Sequence, residues 1–499
     1  METILQNVFF GFGVALTPVN LFYCFAGVLI GTMIGVLPGI GPPAAISLLL
    51  PGTFHMDPVP AIIMLAGIYY GAMYGGSTTS ILVNIPGETA SVVTTLDGYQ
   101  MARQGRAGRA LGISAFGSFI AGTLGIIGLM FLAPPLIRFA LRFGPPEYFA
   151  LMMLGIVLVI FLSEGSLVKA LLMASFGLLL STIGTDLISG AYRFTFGSLV
   201  LIDGIGLIPL TMGMFGVAEV LINIEEGVDR NIFSGLVRGL FPTKEDWKRS
   251  IGPILRGSGI GFFLGILPGG GAVLASFASY ATEKRLSRHP EKFGTGMIEG
   301  VAGPEAANNA GSSGSFVPLL TLGIPSNVVI AILLGALMIH GLQPGPLLMT
   351  QKPDLFWGVI TSMYFGNIML LILNLPLIGL WVQLLKIPYT LLFPFILLFC
   401  LIGVYSLNSS TGEIILMIIF GVFGYLARKF RYEVAPLVLS LVIGPLLESA
   451  FRHSLILSGG SFFIFVQRPI SVILIGTALI LLVLPILSRK QRPAQIIVT

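Results

Sequence analysis

The chain alternates long apolar stretches with short polar breaks, and two of those breaks repeat. Apolar runs of about 20 residues can cross a bilayer core as helices; such runs cover 110–132, 198–222, 358–382 and 470–487. Two other apolar stretches are interrupted by Gly and Pro, as GVLPGIGPP at 35–43 and GILPGGGAV at 265–273. Each interruption is followed by a phrase of small residues ending in Ile-Pro. These are YGGSTTSILVNIPG at 74–87 and NNAGSSGSFVPLLTLGIPSN at 308–327. Gly and Pro break helices. Broken backbone at membrane depth is tolerated only where it is buried in protein or lines a watery cavity. Paired breaks at matching places in two halves point to a transporter's substrate site.

The spacing sets the organisation. Pro38 and Pro268 are 230 residues apart, and Pro86 and Pro325 are 239 apart. The chain is therefore expected to hold two repeats. Residues 1–228 carry a hairpin at about 20–52 and the second phrase at 74–87. Residues 229–455 carry a hairpin at about 253–282 and the second phrase at 308–327. Residues 456–499 supply an extra C-terminal transmembrane helix and a cytoplasmic tail. The expected fold class is an all-α polytopic membrane protein with inverted-topology repeats, about 11 spanning helices and two re-entrant hairpins.

Charge orients these elements, because positive loops stay cytoplasmic. The linker 53–58 has no Lys or Arg, whereas its counterpart 283–293 holds Lys284, Arg285, Arg288 and Lys292. After the second phrase the bias reverses: Arg103, Arg106 and Arg109 in half one, only Lys352 in 341–355. Loops 97–109 and 283–293 are thus expected in the cytoplasm, and 53–58 and 341–355 outside. Arg230, Arg238, Lys244, Lys248, Arg249 and Arg256, then Arg428, Lys429 and Arg431, then Arg489, Lys490 and Arg492 also fall inside; Arg138 and Arg142 are the misfit. Segment 253–282 has basic residues at both ends, so it returns to its own side. Its arms of about 12–15 residues reach roughly 18–22 Å, to the midplane. The competing reading is one kinked spanning helix.

Composition agrees with this and adds exclusions. Of 499 residues, 55% are hydrophobic and 10% charged, against about 25% charged in a soluble domain. The net charge of +5 lies in loops and reports orientation, not nucleic-acid binding. Cys24 and Cys400 offer neither a disulfide framework nor metal spacing. The start, METILQNVFF, lacks the basic n-region of a cleavable signal and is expected to belong to the mature protein. GSGIG at 257–261 has no strand before it, which rejects a dinucleotide fingerprint. No Walker lysine, Cys/His cluster or nucleophile–base pair stands out, so the expected class is not an enzyme and needs no organic cofactor.

The phrases suggest how an anion would be held. At the tips Pro38, Gly39 and Gly41, and Pro268, Gly269, Gly270 and Gly271, let substrate approach backbone. A helix beginning just after a tip offers free N–H groups and a positive dipole end. The second phrases add Ser77, Thr78, Thr79 and Asn84, and Asn308, Asn309, Ser312, Ser313, Ser326 and Asn327. Hydroxyls and carbonyls near Ser80, Asn84, Ser315 and Asn327 suit Na⁺. The competing reading is that small residues only let helices approach. Glu88 and Glu305 flank the phrases and read as loop carboxylates, with coupling or gating as the alternative. Asp186, Asp203, Glu219 and Glu413 read as interfacial, and His340 as helix-end structure.

GVLPGIGP, YGGSTTSILVNIPGE, LDGYQMARQGRAGRAL at 96–111, GILPGGGAVLASFASYATEKR and PEAANNAGSSGSFVPLLTLGIPSN resemble the large membrane subunit of the tripartite tricarboxylate transporters, the TctA family. The resemblance covers nearly the whole chain. It implies secondary transport of citrate-like carboxylates across a bacterial inner membrane as a symport, with Na⁺ or H⁺ as coupling ion. It also implies a small membrane subunit and a periplasmic substrate-binding protein as partners. An elevator-like motion follows by analogy with other hairpin-bearing transporters. A passive channel, or a transporter for another organic anion such as a dicarboxylate or an aromatic acid, is the alternative.

Overall fold

A computed structural model of the chain describes residues 2–37, 41–163, 166–186, 188–226, 239–385, 387 and 389–487. The expected tip residues Pro38 and Gly39, the boundary near 228, Arg230 and Arg238, and the tail with Arg489, Lys490 and Arg492 lie outside them.

The chain forms two compact units. Unit one holds residues 1–141 and 205–426; unit two holds 142–204 and 427–499. Along the chain, unit one begins with α1 (Glu2–Ala15), α2 (Pro18–Val36), α3 (Pro42–Leu49), α4 (Pro58–Val83), α5 (Val92–Met101) and α6 (Ala107–Ala140). Unit two takes α7 (Pro145–Leu162), α8 (Leu167–Ser181) and a two-residue antiparallel pair, β1 (Gly184–Thr185) with β2 (Tyr192–Arg193). Unit one resumes with α9 (Leu207–Thr211), α10 (Ala218–Glu226), α11 (Lys244–Ile266), α12 (Gly271–Leu286), α13 (Glu299–Leu322) and α14 (Val328–Ile339). It continues through α15 (Leu348–Gln351), α16 (Pro353–Asn374), α17 (Ile378–Leu384), α18 (Tyr389–Asn408) and α19 (Thr411–Lys429). Unit two closes with α20 (Ala435–Leu457), α21 (Ile464–Gln467) and α22 (Pro469–Leu487).

Two glycine ladders position the site. A Cβ on Gly27, Gly31 or Gly35 of α2 would fall 2.3–2.5 Å from the carbonyl oxygens of Met64, Ile68 and Ala72 in α4. A Cβ on Gly257, Gly261 or Gly265 of α11 would fall 2.2–2.3 Å from those of Gly303, Ala307 and Gly311 in α13. Only glycine permits such backbone approach. The glycines of the second ladder follow the first by 230 positions and their partners by 239, the same offsets as the two phrases. In each ladder both helices advance together, so α2 runs parallel to α4, and α11 to α13. The intervening chain must return: through α3 and the 3-10 turn Leu50–Thr53 in one case, through α12 in the other. Arg256 of α11 and Glu283 of α12 close the base of the second hairpin at 2.6 Å. A single kinked helix over 253–282 is therefore not what forms. Between the ladders, α4 and α13 run antiparallel. Tyr69 stacks obliquely on Phe316, while Ser77, two turns further along α4, reaches back to Glu305.

Around this centre α16 packs on α1, α2 and α4, and α6 on α11 and α13. Among the described residues, nine helices are long and apolar enough to cross a bilayer, and four further apolar helices are shorter. The 24-residue α13 is not among the nine, being rich in Gly, Ser and Asn. Nearly all of it is buried in unit one, so it needs no lipid-facing apolar surface. Two apolar runs end elsewhere than expected. In 198–222 the helix starts only at Leu207, after Gly204 in the left-handed region (φ +83°). The run 358–382 breaks after Asn374, beside Pro376.

In unit two, α20 packs on α7 and α8, with Gly177 against the Leu437 carbonyl. Asp186 and Glu448 pair with Arg193 and Arg452 there, at 2.5–3.4 Å.

Candidate functional site

The second tip is built from backbone. Leu267 ends α11 in extended conformation, Gly269 and Gly271 take positive φ (+78° and +52°), and α12 starts at once. A Cβ on Gly270 would fall 2.3 Å from the Leu264 carbonyl oxygen. The Gly269 N–H donates to the Ser326 carbonyl at 2.8 Å, so the first phrase of half two closes on its second phrase. Gly271 faces Asn327, and the Ser326 hydroxyl beside the tip is fully buried without a partner. In half one, Gly41 caps α3 with only the Pro43 ring near its Cβ direction.

Within the second phrases both long helices end alike. Asn84 and Gly323 are 239 apart, and both end their helices in the left-handed conformation (φ +60° and +70°). Each is followed by Ile-Pro and then by a side chain that caps the next turn. Glu88 accepts from the Ala90 N–H, and Asn327, also 239 later, accepts from the Ile330 N–H at 3.0 Å. The same offset relates Tyr69 to Asn308. The four residues pair crosswise. Asn327 Nδ2 donates to the Tyr69 hydroxyl at 3.2 Å, and Asn308 Nδ2 donates to Glu88 Oε1 at 3.1 Å. Each bond joins the helix of one half to the cap of the other. Asn327 also donates to Ser315 Oγ at 3.1 Å.

One helical turn before Asn308, Glu305 is buried completely. Its carboxylate accepts from Ser77 of α4, Thr94 of α5 and Ser114 of α6, the last at 3.2 Å. The reading of Glu305 as a loop carboxylate is overturned, since it lies inside α13; Glu88 does lie in a connection but is 6% exposed. Among the described residues no group of three His, Cys, Asp or Glu could hold a metal ion.

The remaining expected residues are placed as follows. Ser77 touches Glu305, and Thr79 and Ser80 bond back to Gly76, with Ser80 also reaching Ser91 at 2.9 Å. Thr78 is buried and Asn84 exposed. Asn309 donates to Ser118 Oγ at 2.7 Å, and the hydroxyls of Ser312 and Ser313 return to the Asn309 carbonyl. Pro268 is half-buried at the tip, while Arg138 and Arg142 are exposed. Sequence reasoning passed over Tyr69, Thr94, Ser114, Ser118 and Asp97. The signal for Tyr69 and Glu88 was available, because laying the second phrases over each other at 239 sets them on Asn308 and Asn327.

Asp97 joins the halves at one end. Its Oδ1 accepts from the N–H groups of Gly294, Gly296 and Met297 at 2.7–3.0 Å, and Oδ2 accepts from the Tyr280 hydroxyl at 3.0 Å. Beside this anchor lies a cleft of about 620 Å³ lined by Arg106, Arg249, Arg256, Arg288 and Lys292. Arg249 and Arg256 are already engaged there by Glu299 and Glu283.

Comparison with known proteins gives the family. The profile of the tripartite tricarboxylate transporter TctA family matches residues 21–439. An "Uncharacterized 52.8 kDa protein in TAR-I ttuC' 3'region" of Agrobacterium vitis is 53% identical over 487 residues, covering 98% of this chain and 97% of the relative. An "Uncharacterized protein in TAR-II ttuC' 3'region" of the same organism is 51% identical over 239 residues, 48% of this chain and 99% of the relative. No solved structure matches. The chain belongs to the tripartite tricarboxylate transporter TctA family, a family of multi-pass membrane transporters.

Proposed function

We propose that the chain is the large transmembrane subunit of a secondary transporter of the bacterial inner membrane. It imports citrate-like tricarboxylates, driven by an ion gradient and supplied by a periplasmic binding protein, alongside a small membrane subunit. The observation that carries the proposal is the crossed pairing of Tyr69 with Asn327 and Asn308 with Glu88. Equivalent positions of two halves meet at one place, and that place adjoins a glycine tip with a free buried hydroxyl. Parallel helices within each half, antiparallel between halves, are what inverted repeats around a midplane site would give.

On this reading the substrate carboxylates lie against the N–H groups at the start of α12, the Ser326 hydroxyl and the exposed Asn84 amide. A helix N-terminus stabilises an anion without a basic side chain. Each hairpin with its ladder helix forms a stiff pair, and an elevator-like displacement would carry the tips together. The cation that drives import is Na⁺ or H⁺. Uptake of a panel of labelled di- and tricarboxylates, by cells expressing all three components, tests the proposal. Tricarboxylates should accumulate only with an ion gradient. Preference for an aromatic acid or a dicarboxylate would overturn the substrate class.

A further inference from the structure

We propose that Glu305 is the ligand of the coupling cation, and that the cation is sodium. The inference rests on the transport reading above and gives it a definite ion site, distinct from the tips. Glu305 lies at the meeting point of four helices. Its two carboxylate oxygens face the hydroxyls of Ser77, Thr94 and Ser114, one from each of α4, α5 and α6. No Lys, Arg or His contacts this carboxylate among the described residues, and Glu305 is 0% exposed. A carboxylate held in that surrounding without a positive partner is costly.

A second observation points the same way. One turn along α13, the Oδ1 of Asn308 is buried and has no donor. Its Nδ2 is committed to Glu88, a second buried carboxylate. Two buried acids and an orphan acceptor together lack positive charge. The three hydroxyls and the two Glu305 oxygens make five oxygens with no nitrogen or sulfur, and the unpartnered Asn308 Oδ1 follows one turn along the same helix. Oxygen-only sets suit hard cations. Hydroxyls can turn a lone pair toward a metal ion, and Ser77 has the Met73 carbonyl at 3.3 Å ready to take its hydrogen. A proton binds a single oxygen, whereas a hard cation draws on several oxygens at once, so a cluster of oxygens from four helices fits sodium better. The first half has Ala66 at the position 239 before Glu305, so the ion site belongs to one repeat only.

The test uses the full-length protein in detergent without substrate or partners. NaCl is titrated at constant ionic strength against choline and potassium chloride. Thermal unfolding and binding of ²²Na⁺ are read together. Wild type should show saturable, sodium-specific stabilisation and binding. Glu305→Gln should lose both, and Thr94→Val should weaken the apparent sodium affinity about tenfold, the worth of one hydrogen bond to a charged group. Thr94→Val covers the case in which Glu305→Gln does not fold. Equal effects of sodium and potassium, unchanged sodium binding in Glu305→Gln, or stabilisation by acid in place of sodium would each overturn the proposal. Because no substrate is used, intact sodium binding with absent carboxylate uptake would sink the transport reading alone.

Discussion

Replacing Gly261 by Ala, with Gly259→Ala as its neighbour control, tests the packing that sets the site. The two glycines are two residues apart on α11. A Cβ at Gly261 would lie 2.2 Å from the Ala307 carbonyl oxygen and 2.7 Å from the Ala307 Cα, whereas at Gly259 it meets nothing within 4 Å. To reach ordinary contact at 3.4 Å from 2.2 Å, α11 and α13 must part by about 1.2 Å. Both neighbours are backbone, so no side chain can rotate away. Overpacking of this kind costs about 1–3 kcal/mol. Ala in place of Gly returns up to about 1 kcal/mol of helix propensity at either position. The net expectation is therefore opposite in sign: a loss of up to about 2 kcal/mol at Gly261 when the full propensity is returned, and a gain of up to about 1 kcal/mol at Gly259. Thermal unfolding of the purified variants in detergent measures the difference. Gly31→Ala, the counterpart in half one at 2.5 Å from the Ile68 oxygen, should behave as Gly261→Ala does. Equal stability of Gly261→Ala and Gly259→Ala would refute the ladder.

Three further outcomes are expected. Asn327→Ala should destabilise by about 2–3 kcal/mol, losing a helix cap of about 1 kcal/mol and bonds to Tyr69 and Ser315, and should also raise the KM for uptake; an unchanged KM separates the cap from the site. Asp97→Ala strands three backbone N–H groups and should cost about 3 kcal/mol or more, while Tyr280→Phe costs about 1 kcal/mol; limited proteolysis within 287–297 should rise in the first variant and stay low in the second. The Ser189 N–H and then Arg452 hold the Asp186 carboxyl well below the usual carboxylate range. A depressed pKa adds stability above the ordinary value of about 4, and that stability is lost as pH falls below it. Asp186→Asn should therefore unfold earlier than wild type at pH 7, and the gap should close on acidification in thermal melts; a gap that persists at low pH argues against the pairing.

The membrane class, the helical fold and the family were legible from hydropathy and from the paired phrases. A helix break at Pro268-Gly269-Gly270-Gly271 was legible too, while the choice between a turn and a kink needed the parallel run of α11 and α13. What the sequence hid was depth. Glu305 follows Gly-Pro, which reads as a loop, yet Pro304 lies inside α13, and the helix is buried from Gly300 to Thr321. Its hydroxyl partners come from three separate helices at distances of 191–228 residues along the chain, beyond any local pattern. Asp97 was hidden for the same reason: its acceptor role depends on a loop 197–200 residues away. The two units also interleave along the chain, with 142–204 and 427–499 meeting across more than 200 residues. Hydropathy reports spans one at a time and carries no information on which spans gather.

The central claim is that the paired phrases build the site of an ion-driven importer. The most direct measurement is time-resolved uptake of labelled citrate by proteoliposomes holding the three-component system, with an imposed ion gradient, for wild type and Gly270→Val. A Val side chain at the tip would meet the Leu264 carbonyl oxygen, 2.3 Å from the Cβ position, and force the tip backbone that substrate is proposed to approach out of shape. Wild type should accumulate citrate above the outside concentration and lose it when an ionophore collapses the gradient, while Gly270→Val, present at normal levels in the membrane, should not accumulate it. Equilibration without accumulation in wild type, or full accumulation by Gly270→Val, would contradict the account.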